Sequence, residues 1–283
     1  MSKKVERVGF VGLGDQGGPM ARAVAEDGGF ELHVWARRPA SLSAVAEVPH
    51  VAHDTPAGLA GSVELIGLCL RDDVDVRELL DDGGLLAAVT PGTIIVNHGT
   101  GDPSEAEQIA AHVHAAGGAF LDAPVSGGGP GARSRTLTTF AGGPVEVFEA
   151  ARPMLATFSD TVRLMGPAGA GQLTKLFNNA LAITNMKNIE DVLTLAGQVG
   201  LDLPALIDVI GESSGGSAAL RGLGHDISPA LAEHLHPLMH KDMRHFADAV
   251  RARGGDPEEV LARGSDGASG LVETARLIAR HRA

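Results

Sequence analysis

Through the first half of the chain, short apolar and β-branched runs alternate with stretches whose apolar residues recur at helical spacing. Residues 5–11 predict a first strand, a glycine-rich turn follows, and residues 19–26 predict a helix. Residues 32–35 predict a second strand and 39–47 the next helix. The runs 65–70 and 93–97 read as further strands, with a helical segment at 74–80 between them. Asp102-Pro103-Ser104-Glu105 reads as a capping box with proline at the first helical position, so a helix starts there, runs to Ala116 and stops at Gly117-Gly118. Residues 119–122 make another strand. This rhythm builds a mostly parallel, doubly wound sheet.

The pattern changes near Pro167. Residues 170–199 read as one long helix, free of proline and apolar around most of its circumference. Such a helix is buried on several sides, inside a helical domain or against a second subunit. Residues 204–210, 239–253, 257–263 and 271–281 also carry helical patterns, and no strand pattern follows residue 165. The expected fold is α/β: a Rossmann-type doubly wound domain over residues 1–166, then an all-helical domain over 167–283.

Composition narrows the function. A chain of 283 residues exceeds what one small core usually holds, which agrees with two domains. Tyrosine is absent, so proton transfer does without a phenol. A formal charge of −12 argues against a nucleic-acid surface, and an anionic ligand needs local arginine, lysine or backbone amides. Cys69 is the only cysteine, which excludes an intrachain disulfide and reads as an inert strand thiol in a reducing, cytoplasmic setting. The start, residues 1–7, is charged and leads straight into a strand pattern, so no signal peptide is expected, and the apolar stretches read as too short or too interrupted by charge to span a membrane.

Three segments carry chemistry. Gly12-Leu13-Gly14-Asp15-Gln16-Gly17 is a G-x-G-x-x-G between a strand and a helix, the setting in which glycines admit a pyrophosphate to the backbone at a helix N-terminus. The second strand ends in Trp35-Ala36-Arg37-Arg38 without the acid that holds the NAD ribose. Two guanidiniums there suit a 2′-phosphate, so NADP is the expected cofactor and NAD the alternative. The second segment, Asp122-Ala123-Pro124-Val125-Ser126-Gly127-Gly128-Gly129, offers a hydroxyl and bare amides to a substrate carboxylate, or else is a plain flexible loop. In the third, Gly169-Ala170-Gly171-Gln172-Leu173-Thr174-Lys175-Leu176-Phe177-Asn178-Asn179, Lys175 and Asn179 lie four residues apart on one helix face. A lysine on so apolar a helix is a candidate acid–base group, with a snorkelling surface lysine as the bland alternative.

In this order and spacing the segments resemble the β-hydroxyacid dehydrogenase family, from Val8 to about Val199, with a further patch at Lys241-Asp242-Met243. The resemblance implies that Lys175 is catalytic, that Asn179 binds substrate beside it, and that Ser126, Gly127 and Gly128 hold the substrate carboxylate. It places Leu70, Arg71 and Thr100 near the cofactor, and Lys241 at its nicotinamide end with Asp242 close by. It implies an active site closed between two domains and a homodimer or higher homo-oligomer built around the long helix. The family reads Asp-x-Ser-Thr where this chain has Asn97-His98-Gly99-Thr100, and glycine where it has Arg135. These departures leave the hydride chemistry intact and put the substrate in question.

His98 reads by default as a loop or strand-end imidazole that merely hydrogen-bonds, with a catalytic role as the alternative. His234, His236, His240 and His245 cluster near Lys241, but Pro237 interrupts them and no ligating carboxylate pattern accompanies them, so no metal is expected. The expected activity is hydride transfer between NADP and a small 3-hydroxy acid or its aldehyde or keto form. Imine reduction on the same architecture and a non-catalytic NADP-binding scaffold are the rivals.

Overall fold

The computed structural model describes residues 5–282; the first four residues of the charged start lie outside them. The order begins β1 (Arg7–Val11), α1 (Gly17–Asp27), β2 (Glu31–Trp35), β3 (Val51–Ala52), α2 (Pro56–Ala60), β4 (Leu65–Leu68), α3 (Asp73–Leu80), β5 (Ile94–Asn97), α4 (Pro103–Ala115) and β6 (Ala119–Asp122). It continues through β7 (Val125–Ser126), α5 (Gly128–Ser134), β8 (Leu137–Gly142), α6 (Val145–Leu155) and β9 (Ser159–Gly166). These strands form one sheet in the order β3-β2-β1-β4-β5-β6-β8-β7, with β9 paired to β8. The first six strands are parallel, and β8 joins β6 antiparallel. The chain winds outward from β1 to β3 and then returns to β4 on the other side of β1. The carboxyl ends of β1 and β4 therefore flank the switch point, where such sheets open a crevice for ligands.

Both faces of the sheet are covered. Val8 and Phe10 of β1, Leu65 of β4, Ile94 and Val96 of β5 and Leu121 of β6 enter one hydrophobic cluster. Their alternates Val11, Ile66, Leu68, Ile95 and Phe120 enter another. Period-two alternation thus splits near-continuous apolar strands between two cores, as a helix-covered parallel sheet requires.

Several local expectations change in the folded chain. The helix expected over residues 39–47 is a shorter 3₁₀ helix, Pro39–Val45, in which Ser43 Oγ donates to the Ala40 carbonyl oxygen. The box opening α4 is half made: Asp102 accepts from the Ser104 and Glu105 amides, while the Glu105 carboxylate turns to Arg77 at 2.7 Å. The strands β8 and β9 lacked a clear sequence signal. The glycine cluster Gly127–Gly131 is helical from Gly128 onward, in α5, despite its poor propensity, and only Gly127 stays outside the helix.

Beyond the sheet come α7 (Ala170–Gln198), α8 (Leu203–Gly211), α9 (Ala218–Arg221), α10 (Pro229–Arg251) and α11 (Glu258–Arg282). By compactness the chain divides between Lys175 and Leu176, inside α7. The second unit packs around Met186, Leu193, Leu203, Ile207, Leu223 and Leu271. α10 runs through Pro237, which is exposed together with Glu233, so the carbonyl that proline deprives of a partner faces water. α11 runs through Gly264, Gly267 and Gly270, where the sequence suggested a break. A Cβ built at Gly267 would lie 2.4 Å from the Ile183 carbonyl oxygen of α7, so close helix packing explains these glycines better than a turn does. No helix among the described residues is long and apolar enough to cross a membrane.

Candidate active site

The G-x-G-x-x-G loop leaves β1 and enters α1, and its three glycines meet three different demands. Gly12 has φ +92°, and a Cβ there would lie 2.1 Å from the Cys69 carbonyl oxygen. Gly17 opens α1 so close beneath the loop that a Cβ would lie 1.9 Å from the Gly12 carbonyl oxygen. Around Gly14 nothing stands within 4 Å of where a Cβ would be, so bare backbone faces open space. That combination fits a nucleotide pyrophosphate: one glycine turns the chain, one lets the ligand approach, and one lets the helix pack.

Beside the loop lies a cavity of about 340 Å³ that also draws on the ends of β2 and β4. It brings together Gly12, Leu13 and Gly14 with Arg37 and Arg38, and with Leu70 and Arg71. Asp75 of α3 lines it too, a residue that sequence reasoning missed. Arg37 donates to Asp75 at 3.3 Å, and Arg71 donates to Asp72 at 2.9 Å while facing Asp75 at 3.5 Å. The signal was the acidic start of α3, Asp72-Asp73-Val74-Asp75, which reads as ordinary helix-dipole pairing. Cys69, also on the lining, has its thiol pushed up to about 12 by burial, which keeps it protonated and inert.

The remaining predicted residues lie elsewhere. Asp15 pairs with Arg133 of α5 at 2.8 Å, linking the dinucleotide loop to the helix after Ser126. Gln16 stands at the N-cap of α1 and makes no side-chain capping bond. Ser126 ends β7, and Gly127 and Gly128 follow with φ +125° and +60°, a backbone that glycine adopts without strain. Arg135 closes α5 in the left-handed region at φ 61° and pairs with Glu26, which accounts for the family's glycine at that position.

Thr100 is flanked by two contacts to one side chain. Gly101 N donates to Gln172 Oε1 at 2.9 Å, and Gln172 Nε2 donates to the Gly99 carbonyl oxygen at 2.7 Å. Gln172 lies in the first turn of α7, whose start is held by Asp122: Oδ1 accepts from Gly169 N and Oδ2 from Gln172 N, each at 2.8 Å. Burial pushes the Asp122 carboxyl up to about 7, against the backbone N–H groups of Gln172 and Gly169, which pull it down. Lys175, half-buried, follows one turn later on the same helix.

In the second unit, Asn179 Nδ2 donates to Asp242 Oδ2 at 2.7 Å, so the family's asparagine meets the acid next to Lys241 on α10. His236 and His240 make an edge-on ring contact at 6.0 Å, and no cluster of three metal-ligating side chains occurs among the described residues. His98 is a core residue. Its ring is stacked on Phe10, edge-on to Phe158 and 2 % exposed, with Nδ1 at 3.0 Å from the Ala123 carbonyl oxygen.

Comparison with known proteins agrees with the fold. The family model described as the NAD binding domain of 6-phosphogluconate dehydrogenase matches residues 7–166. The one described as NAD-binding of NADP-dependent 3-hydroxyisobutyrate dehydrogenase matches residues 169–260. A 3-hydroxyisobutyrate dehydrogenase from Pseudomonas aeruginosa is 36% identical over 214 residues, covering 75% of this chain and 72% of the relative. An NAD-dependent L-serine dehydrogenase from the same organism is 34% identical over 217 residues, 76% of this chain and 72% of the relative. The solved structure of Mycobacterium tuberculosis 3-hydroxyisobutyrate dehydrogenase with L-serine superposes with a TM-score of 0.81 at 26% identity, covering 98% of this chain and 99% of that one. The chain therefore belongs to the β-hydroxyacid dehydrogenase family and is an NAD(P)-dependent oxidoreductase acting on hydroxy acids.

Proposed function

We propose that the protein prefers NADP(H) and interconverts a small 3-hydroxy acid with its aldehyde or keto form, with Lys175 as the proton-transfer residue. Residues 1–166 bind the cofactor through the Gly12–Gly17 loop, Arg37, Arg38, Leu70, Arg71 and Thr100, and residues 167–283 form the substrate and dimerisation domain, which adds Lys241. Bound nicotinamide supplies or accepts the hydride. In reduction, Lys175 gives a proton to the carbonyl oxygen as charge develops on it, and in oxidation it takes the hydroxyl proton. Asn179, one turn further along α7, hydrogen-bonds the same substrate, and Ser126 with the amides of Gly127 and Gly128 holds its carboxylate. The relatives named for 3-hydroxyisobutyrate and L-serine support a small β-hydroxy carboxylate, and the lone cysteine fits a cytoplasmic enzyme.

The observation that supports this reading most is the bonding of the Lys175 helix start, through Gln172, to both sides of Thr100. The test is turnover with NADP and NAD across 3-hydroxyisobutyrate, L-serine, their aldehyde forms and a cyclic imine, followed at the nicotinamide absorbance. Oxidation of a 3-hydroxy acid with NADP favoured is the expected result. Imine reduction without alcohol oxidation would overturn the reading, and so would binding of NADPH without turnover.

A further inference from the structure

The start of α7 cannot cap itself. Gly169 stands before the helix with φ +87° and no side chain, and its amide is taken up by Asp122, 47 residues earlier in the chain. Ordinary helices draw a cap from the adjacent residue. This one draws on the end of β6 and lodges the carboxylate at 0 % exposure, although burying a charge is costly. Gly171 completes the docking: a Cβ there would lie 2.4 Å from the Phe140 carbonyl oxygen and 2.6 Å from that of Asp122. Gly171 inside the opening turn opposes helix formation by about 1 kcal/mol, so the turn is shaped for its location and not for its own stability.

Gln172 occupies the same turn, also at 0 % exposure. Its amide is used at both ends, on the backbone before and after Thr100. Three segments therefore meet at one helical turn: the loop after β5 through Gln172, the strand leading to Ser126 through Asp122, and the helix that carries Lys175. Gln172 and Lys175 are three residues apart, so a shift of that turn moves both.

We infer that Gln172 and Asp122 are positioning residues for Lys175, a buried polar staple that holds the proton-transfer helix in register with the Thr100 loop and the Ser126 segment. The inference rests on Lys175 acting as proposed above. Neither side chain touches the reacting atoms; each acts through the backbone. Because proton transfer is sensitive to displacements of about 1 Å, loosening the turn reduces turnover while cofactor affinity stays close to normal.

The experiment uses the full chain with Gln172→Met, which removes both bonds at similar length, and Gln172→Glu, which keeps the acceptor for Gly101 N and loses the donor to Gly99. Asp122→Asn tests the other arm. Amide exchange by mass spectrometry, without substrate, reports on residues 99–101 and 169–175. The expected result is exchange faster by about tenfold or more in both segments for Gln172→Met, with a smaller change for Gln172→Glu. On the best substrate, kcat falls by about tenfold in Gln172→Met while the NADPH dissociation constant changes by less than about twofold. In a Lys175→Ala background the same substitution costs no more than about twofold, since its effect passes through the lysine.

Unchanged exchange in Gln172→Met would overturn the staple. A tenfold loss that persists in full without Lys175 would overturn the positioning role and leave the proton assignment standing. Near-normal turnover of Lys175→Ala alone would instead remove that assignment. Should Gln172→Met fail to fold, the same comparisons are made with Gln172→Glu, for which unaltered exchange and kcat would overturn the inference.

Discussion

Arg37 Nη1 donates to Asp75 Oδ1 at 3.3 Å, joining two residues that line the cavity beside the dinucleotide loop. An arginine that the sequence assigns to a 2′-phosphate thus rests on a carboxylate contributed by α3. The pair is unequal, because the Arg37 side chain is 71% exposed and that of Asp75 only 11%. An incoming phosphate would compete for an exposed guanidinium, so exchange costs little. A bare ribose would find Asp75 as an acceptor. If the cofactor binds there as proposed, its choice depends on two elements of the cavity wall and not on the end of β2 alone.

From this follows an expectation for cofactor preference. Replacing Arg37 and Arg38 together by alanine weakens NADP(H) by about tenfold or more and NAD(H) by much less, the difference expected from losing charge-assisted bonds to a phosphate. Asp75→Asn shifts the preference further towards NADP(H), because it removes a negative charge beside the subsite. Values of kcat/KM for both cofactors, with direct binding titrations, check both. Equal losses for the two cofactors in the double alanine variant would remove the arginines from 2′-phosphate recognition.

The proton is tested at Lys175. Lys175→Ala keeps its fold and binds NADPH, but turnover drops by about a hundredfold or more, the usual cost of losing a general acid–base group. Lys175→Arg fails similarly, because a guanidinium hardly releases its proton. Steady-state kinetics beside a cofactor fluorescence titration separate lost chemistry from lost binding.

For assembly, the geometry of α7 sets the expectation. Phe177, Leu181, Val192 and Leu195 are exposed, and at 3.6 residues per turn they fall on one face of the helix. Leu181 is 64% exposed and Leu195 61% exposed, a large apolar stripe for a surface facing water. A homodimer that buries this stripe is expected by light scattering at micromolar concentration. The double variant Leu181→Glu with Leu195→Glu should run as a monomer, and a monomeric wild type would contradict the reading.

Acid should weaken the fold through His98. Burial pushes its imidazole down to about 4 from an ordinary 6.5, so the folded state keeps it neutral. Below pH 6.5 the unfolded chain binds a proton that the folded chain refuses, so stability falls as pH drops from about 6.5 towards 4. Each unit of depression corresponds to about 1.4 kcal/mol. Urea titrations at several pH values should show a shallower acid loss for His98→Leu than for the wild type. Parallel curves for the two proteins would contradict the prediction. Asp122, raised to about 7, acts in the opposite direction, losing stability as pH rises through that value, so the comparison must be made between proteins and not along one curve.

Helix glycines offer a contrast of sign. Alanine at Gly197 meets only Leu203 Cδ1 at 3.8 Å, an ordinary contact, so Gly197→Ala should stabilise the protein by up to about 1 kcal/mol. Alanine at Gly267 meets the backbone of Ile183 at 2.4 Å and of Lys187 at 3.0 Å, neither of which can rotate away. Gly267→Ala should therefore destabilise by about 1–3 kcal/mol through overpacking. Chemical denaturation of the two variants decides it, and stabilisation by both would mean that α11 does not approach α7 this closely.

Legibility in the sequence followed the range of the interactions concerned. The strands β1, β2, β4, β5 and β6, the dinucleotide loop and the start of α4 were readable because each depends on residues a few positions apart: alternation, a glycine turn, a cap. The Lys175 segment was readable through its family pattern. What tertiary structure alone decided joins residues distant in sequence. Asp122 reaches Gly169 across 47 positions and Gln172 reaches Gly99 across 73, and no local pattern marks either as more than a strand end or a helical glutamine. His98 became a core residue because Phe10 and Phe158 close around it. The glycines of α11 read as breaks until α7 approached them, since local propensity counts only the entropy that glycine loses and not the backbone contact it permits.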